Sequence, residues 1–245
     1  MRGDVQTDLQ AELERQKLDA MKELAYGASH EINNPLANIA ARAQALLRDE
    51  QAPERRRALE AIHQQAMRAH EMISDLMLFA RPPRLQIEAF DLRLAVEDAA
   101  ENLAAECQRR EVLLAVQLPE SAMEVRGDRQ QLVVAVAAVV RNALEAVGRD
   151  GRVEIALRPD VAEPPGGFVT IEVSDTGPGI SAEVRRHLFD PFYSGREAGR
   201  GLGFGLSKCW RIVTDHGGTV VVSSDSQQGA TLSLRLPMQG PASCQ

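Results

Sequence analysis

The chain has 245 residues, 44% of them apolar, and a formal net charge of −7. That length allows one or two domains with a real core and excludes wholesale disorder, and the acidic balance argues against a general nucleic-acid binder. Three cysteines with no C-x-x-C pair (Cys107, Cys209, Cys244) indicate neither a zinc knuckle nor a disulfide framework, and they fit a reducing, cytoplasmic setting.

The first residues carry no signal-peptide apolar region. The longest apolar run, Leu132 to Val140, is too short to cross a bilayer, so no membrane span is expected. Residues 1–17 read as the tail of a coiled coil or linker. From Leu18 to Leu46 apolar residues recur at spacings of three and four (Leu18, Met21, Ala25, Ala28, Ile32, Leu36, Ile39, Ala43, Leu46), and the pattern resumes from Leu59 to Ala80. Two long helices around a short break near Asp49 to Pro53 make an antiparallel hairpin over 18–81. One hairpin buries such seams poorly, and pairing with a second copy into a four-helix bundle solves this. His63 and His70 read as solvated surface.

Pro82 and Pro83 deny helix continuation, so 82–90 reads as a linker. A helix is expected from Asp91 to about Arg110, a strand over 112–118, and a long apolar helix capped by Asp128 and running to Val147. Alternation in RVEIALR (152–158) and FVTIEVS (168–174) predicts a hairpin. A Gly-rich stretch leads into a helix over about 202–215, and two strands close the domain at 91–238, leaving 239–245 as a tail. The fold class is α+β: a helical hairpin followed by an α/β sandwich with one mixed sheet and helices on one face.

Four segments can carry chemistry. In SHEINNPL (29–36), His30 lies about 200° round the helix from the seam residue Ile32 and so faces outward. An exposed imidazole with Glu31 beside it is a competent nucleophile, and Asn34 shares its face. The zinc pattern H-E-x-x-H fails because position 34 is Asn. In RNALEAV (141–147), Asn142 offers an amide oxygen to a hard cation such as Mg²⁺. In VSDTGPGI (173–180), Asp175 can accept from an exocyclic amine, while Gly177 and Gly179 admit a planar base. In FDPFYSGREAGRGLGFGLS (189–207), Gly201, Gly203 and Gly205 open a helix whose N–H groups suit phosphate. Neither a dinucleotide fingerprint nor a P-loop is present.

Taken in order, SHEINNPL, RNALEAV, DTGPGI, FDPFYSG and GLGFGLS followed by HGG resemble the H, N, G1, F and G2 boxes of sensor histidine kinases, over roughly residues 18 to 236. The look is similar to soluble nitrogen-regulation-type kinases. The resemblance implies a dimerisation and phosphotransfer hairpin and an ATP-binding domain of the GHKL (Bergerat) type. It implies ATP with Mg²⁺, a homodimer, and a response-regulator receiver domain as partner. By position, His30 matches the phospho-accepting histidine, Glu31 its acidic helper, and Asn34 the polar residue linked to dephosphorylating the regulator. Asn142 matches the Mg²⁺ ligand, and Asp175 with Gly177 and Gly179 the adenine site. Phe189 and Phe192 match the mobile lid, and Gly201, Gly203 and Gly205 the phosphate turn, with Leu202 and Leu206 beside them. Arg196 or Arg200 could serve the γ-phosphate.

Two positions depart from the pattern. Ala138 stands where a second polar residue is usual, and Glu145 where many members place Lys. A gyrase- or heat-shock-type ATPase would need a glutamate at position 138. A degenerate kinase acting as a dimeric scaffold is the other rival.

Overall fold

The computed structural model describes residues 27, 31–80, 83–160, 167–190, 193, 203–224 and 229–241. The chain divides into two units, Met1–Pro83 and Arg84–Gln245.

In the first unit, helix α1 is described over residues 31–47 and helix α2 spans Pro53–Ala80. Pro53 opens α2 where its missing N–H costs nothing, and Glu50 accepts from the Ala52 N–H at 2.8 Å. Helix α1 runs through Pro35 without a break. Ala40, Ala43 and Ala66 are buried, and their small side chains let the two helices approach.

The hairpin uses one edge of the expected stripe, with Leu36, Ala43, Leu59, Ala66, Ala69 and Ile73 inward. On α2 the inward positions also include His63, His70 and Met77. His63 and His70 are therefore half-buried rather than solvated. His63 Nδ1 lies 3.1 Å from the Ala40 carbonyl, and the Asn33 amide lies 3.9 Å from Met77 Sδ. Ile32, Ile39 and Leu46 on α1, with Ile62 and Met67 on α2, stay exposed. Spacings of three and four define an apolar band roughly 100° wide. One partner helix covers only one edge of that band, and the spacing alone does not say which.

The second unit begins with strand β1 (Glu88–Asp91) and helix α3 (Leu92–Arg110). Strands β2 (Leu113–Gln117) and β3 (Glu124–Gly127) precede helix α4 (Arg129–Val147). Then come β4 (Arg152–Asp160), β5 (Phe168–Asp175), α5 (Ala182–His187), α6 (Phe204–Asp215), β6 (Thr219–Ser224) and β7 (Ala230–Pro237). The main sheet has the order β2-β4-β5-β7-β6, parallel only between β2 and β4. A separate antiparallel pair, β1 with β3, was not anticipated, and neither was the short α5. Strand β1 falls, all but Asp91, inside the stretch expected to be linker, and the Gln86 N–H already donates to Asp128 in the same unit.

The core lies between the sheet and helices α3, α4 and α6. Alternate residues of β5 and β7 (Val169, Ile171, Val173; Leu232, Leu234, Leu236) are buried against them. Helix α4 is long and apolar enough by composition to cross a membrane. Its buried stripe, Leu132 to Leu144, packs instead on α3, α6, β4 and β5, which makes it the central core helix. Cys107 and Cys209 are buried free thiols.

Candidate functional site

Strand β5 delivers Asp175 by the same alternation that buries its neighbours. Val169, Ile171, Val173 and Asp175 share the helix-facing side, and the last of these is a carboxylate. It is only 6% exposed. Its Oδ1 accepts from the Gly177 N–H at 2.8 Å, and the Ala230 N–H on the neighbouring strand also donates to it. Burial pushes its pKa above the usual carboxylate value, and the two backbone donors only partly offset that.

The turn after Asp175 abuts helix α4. A Cβ added to Gly177 would stand 2.8 Å from Asp175 Oδ1 and 3.2 Å from the Ala146 carbonyl oxygen, so only glycine lets the turn lie there. Gly179 has φ +77, a left-handed value that glycine adopts freely. Asn142 is half-buried on α4, one turn before Ala146, with Ala138 half-buried one turn earlier and Glu145 beside it. Helix geometry therefore puts the amide and the carboxylate on elements that meet at one turn.

Helix α6 begins at Phe204 after Gly203, whose φ of +73 places it in the left-handed region with no side-chain cap. A Cβ there would lie 2.2 Å from the Tyr193 carbonyl oxygen. At Gly205 a Cβ would meet nothing within 4 Å. The first turn of α6 is thus backed by Tyr193 and open at Gly205, an arrangement that can receive an anion. Leu206 is buried behind it and Phe189 is half-buried after α5. His187 pairs with Asp190 at 2.7 Å and packs at a tilt against the Tyr193 ring.

Several expected residues fall elsewhere or out of view. Glu31 and Asn34 are exposed on α1. His30, Phe192, Arg196, Arg200, Gly201 and Leu202 lie outside the described residues, as does Cys244. Three residues given no role in the sequence reading help to build the site, Thr176 within the D-T-G-P-G turn and Gly229 and Ser224 outside the motifs. Gly229, at φ +89, presses on the Asp175 backbone, where a Cβ would come within 1.8 Å of the carbonyl oxygen. Thr176 Oγ1 accepts from the Arg152 N–H at 3.0 Å and ties the turn to β4. Ser224 Oγ accepts from the Ile180 N–H at 2.8 Å and donates to the Gly229 carbonyl at 3.0 Å. A lone Gly or Ser at a strand end carries no spacing signal, which is why pattern reading passes over Gly229 and Ser224.

Residues 127–240 match the family described as histidine kinase-, DNA gyrase B-, and HSP90-like ATPase, and residues 20–84 match the His Kinase A (phospho-acceptor) domain. Over 94% of its length the chain is 31% identical to sensor histidine kinase ZraS of Escherichia coli K12, of which it covers 48%. It spans about half the length of the curated relatives it matches. In fold it is similar to full-length ShkA in complex with AMPPNP, with a TM-score of 0.74 at 23% identity over 90% of this chain and 47% of that one. It is similar also to the histidine kinase ThkA in complex with the response regulator protein TrrA, with a TM-score of 0.64 at 21% identity over 92% of this chain and 64% of that one.

Proposed function

The chain belongs to the sensor histidine kinases, and from that premise we propose that it moves the γ-phosphoryl group of ATP to its own His30 and then to an aspartate of a response-regulator receiver domain. The buried acceptor at Asp175 carries the reading. A carboxylate fixed at the end of a core strand, beside a glycine turn that admits a planar ring, suits the exocyclic amine and face of adenine. The uncapped, open first turn of α6 suits the phosphates, with Gly205 leaving the room they need.

Mg²⁺ fits the residues present. It usually keeps several waters and takes few protein ligands beside substrate phosphates, so the single amide of Asn142 is a sufficient protein contribution. When bound, the ion neutralises charge on the phosphates. The protein's own part is mainly positioning and charge stabilisation. A nitrogen of the His30 imidazole forms the bond to phosphorus as the bond to the ADP leaving oxygen breaks, and Glu31 takes the displaced ring proton. Asn34, on the same helix face, holds water for dephosphorylating the regulator. The exposed stripe Ile32, Ile39, Leu46, Ile62 and Met67 supports a homodimer built as a four-helix bundle. A cytoplasmic setting, where ATP and receiver domains are available, fits this reading.

Ala138 argues against the water-activating chemistry of a gyrase- or heat-shock-type ATPase, because it offers no general base one turn before Asn142. Incubation with γ-labelled ATP tests the proposal. The expected product is an acid-labile, alkali-stable protein phosphate that disappears in His30→Gln and falls sharply in Asn142→Ala. Phosphate release without labelled protein would instead establish hydrolysis, and neither product would establish a scaffold.

A further inference from the structure

His216, the first residue of the H-G-G run, is 2% exposed and takes no part in the chemistry proposed above. It closes α6 as the C-cap residue. Its Nδ1 lies 2.8 Å from the Ile212 carbonyl, and its Nε2 lies 2.9 Å from the backbone nitrogen of Asp128. A carbonyl can only accept and a backbone N–H can only donate. The ring is therefore the tautomer with its proton on Nδ1 and a bare Nε2 that accepts from Asp128.

Asp128 is the N-cap of α4, and its own carboxylate accepts from the Gln131 and Gln86 N–H groups, each at 3.0 Å. A single imidazole thus joins the start of α4 to the end of α6. The close fit continues at Gly127, where a Cβ would stand 3.0 Å from the imidazole.

The two helices pack on each other with opposed chain directions, α4 starting and α6 ending at this joint, so both lead away from it side by side. Asn142 lies 14 residues along α4 from Asp128, roughly 21 Å away at 1.5 Å per residue. The open turn at Phe204 lies 12 residues back along α6 from His216, roughly 18 Å away. The metal-holding amide and the phosphate turn therefore sit at the same far end of one helix pair whose near end His216 fastens.

We propose that His216 is a positioning residue for nucleotide binding: by accepting from Asp128 it fixes the register of α4 against α6, and so the spacing between Asn142 and the phosphate turn. This rests on the nucleotide reading of the site. A group displaced by about an ångström can cost on the order of 100-fold in a step that depends on it. His216→Phe keeps the ring's bulk but leaves the buried Asp128 N–H without an acceptor. His216→Gln retains an oxygen able to accept from it.

The experiment is calorimetric titration of the full chain with MgATP and, separately, with adenosine. The variants are wild type, His216→Phe, His216→Gln, Asn142→Ala and the double variant His216→Phe/Asn142→Ala. His216→Phe is expected to weaken MgATP about tenfold or more while adenosine, which needs only Asp175, binds as in wild type. His216→Gln should recover most of the loss. In the Asn142→Ala background the phenylalanine should cost less than about twofold, because the group it misplaces is gone. Independent sites would instead multiply their losses. Multiplied losses, an unchanged MgATP affinity, or parallel weakening of adenosine and MgATP would each overturn the proposal. Should the phenylalanine variant not fold, the same cycle with His216→Leu, which also lacks the acceptor, decides, an effect confined to MgATP and absent from the Asn142→Ala background supporting it and any other outcome overturning it. Wild-type protein that takes up no MgATP would sink the nucleotide reading itself.

Discussion

Two glycines, one beside Asp175 and one in the first turn of α6, differ in what a methyl group would meet, and the difference separates folding from binding. At Gly229 a Cβ would stand 1.8 Å from the Asp175 carbonyl oxygen at φ +89. Gly229→Ala is expected to lower the stability of the second unit by about 2 kcal/mol or more, read by thermal melting. At Gly205 a Cβ meets nothing within 4 Å, and the residue lies inside α6. Gly205→Ala should hold or raise stability by about 0.5–1 kcal/mol while weakening ATP. Unchanged ATP affinity in that variant would remove the phosphates from this turn. Asp175 makes a pH prediction. Its burial-raised pKa means that the acceptor is protonated, and lost, at a higher pH than the usual carboxylate value near 3.9. ATP affinity should therefore decline on acidification sooner than an exposed aspartate would dictate. Asp175→Asn should flatten that decline and bind about 10- to 150-fold more weakly throughout. Asp175 was legible because strand alternation and the D-T-G-P-G turn coincide there. Gly229 was not, because its necessity comes from the end of a strand 54 residues earlier.

At the scale of the elements, caps decide where helices begin, and the sequence announces them well. Asp128 caps α4 as its position before an apolar run predicts. Asp128→Ala should cost about 1–2 kcal/mol in a denaturant titration, with the helix content retained. Asp91 caps α3 and does more. The Arg93 side chain, hydrogen-bonded to it at 2.6 Å, holds its pKa down to about 2, and the Met123 N–H helps while burial opposes. Unfolded, the same group has a pKa near 3.9. Its contribution is therefore complete above about pH 4 and lost as the pH falls towards about 2. Asp91→Asn should show a shallower loss of stability across that window, and an unaltered acid limb would count against the assignment. Elements were missed where they are short. Strands β1 and β3 have four residues each, too few to show a period, and their pairing brings together segments 36 residues apart.

Considered whole, the first unit is apolar on more of its surface than a lone hairpin can use. Ile32, Ile39 and Leu46 stand seven residues apart along α1 and remain exposed, with Ile39 46% and Leu46 61% open to solvent. A repeat of seven is the seam spacing of packed helices, and leaving it in water forfeits roughly 25 cal/mol for each Å² of apolar surface that pairing would cover. The sequence displayed this surplus as a band too wide for one partner. It could not divide the band between hairpin and dimer, because His63 and His70 look polar in composition yet pack inward at half-burial. The division now distinguishes two substitutions on one helix. Ala43 is 3% exposed, so Ala43→Glu buries a charge inside the hairpin and should unfold it. Ile39→Glu places its charge on the open stripe, so each hairpin should keep its helicity while association between copies is lost. Sedimentation equilibrium checks this directly: wild type should run as a dimer and Ile39→Glu as a monomer with the same far-ultraviolet circular dichroism. A dimer that survives Ile39→Glu unchanged would move the interface off this stripe and leave the surplus apolar surface for another partner.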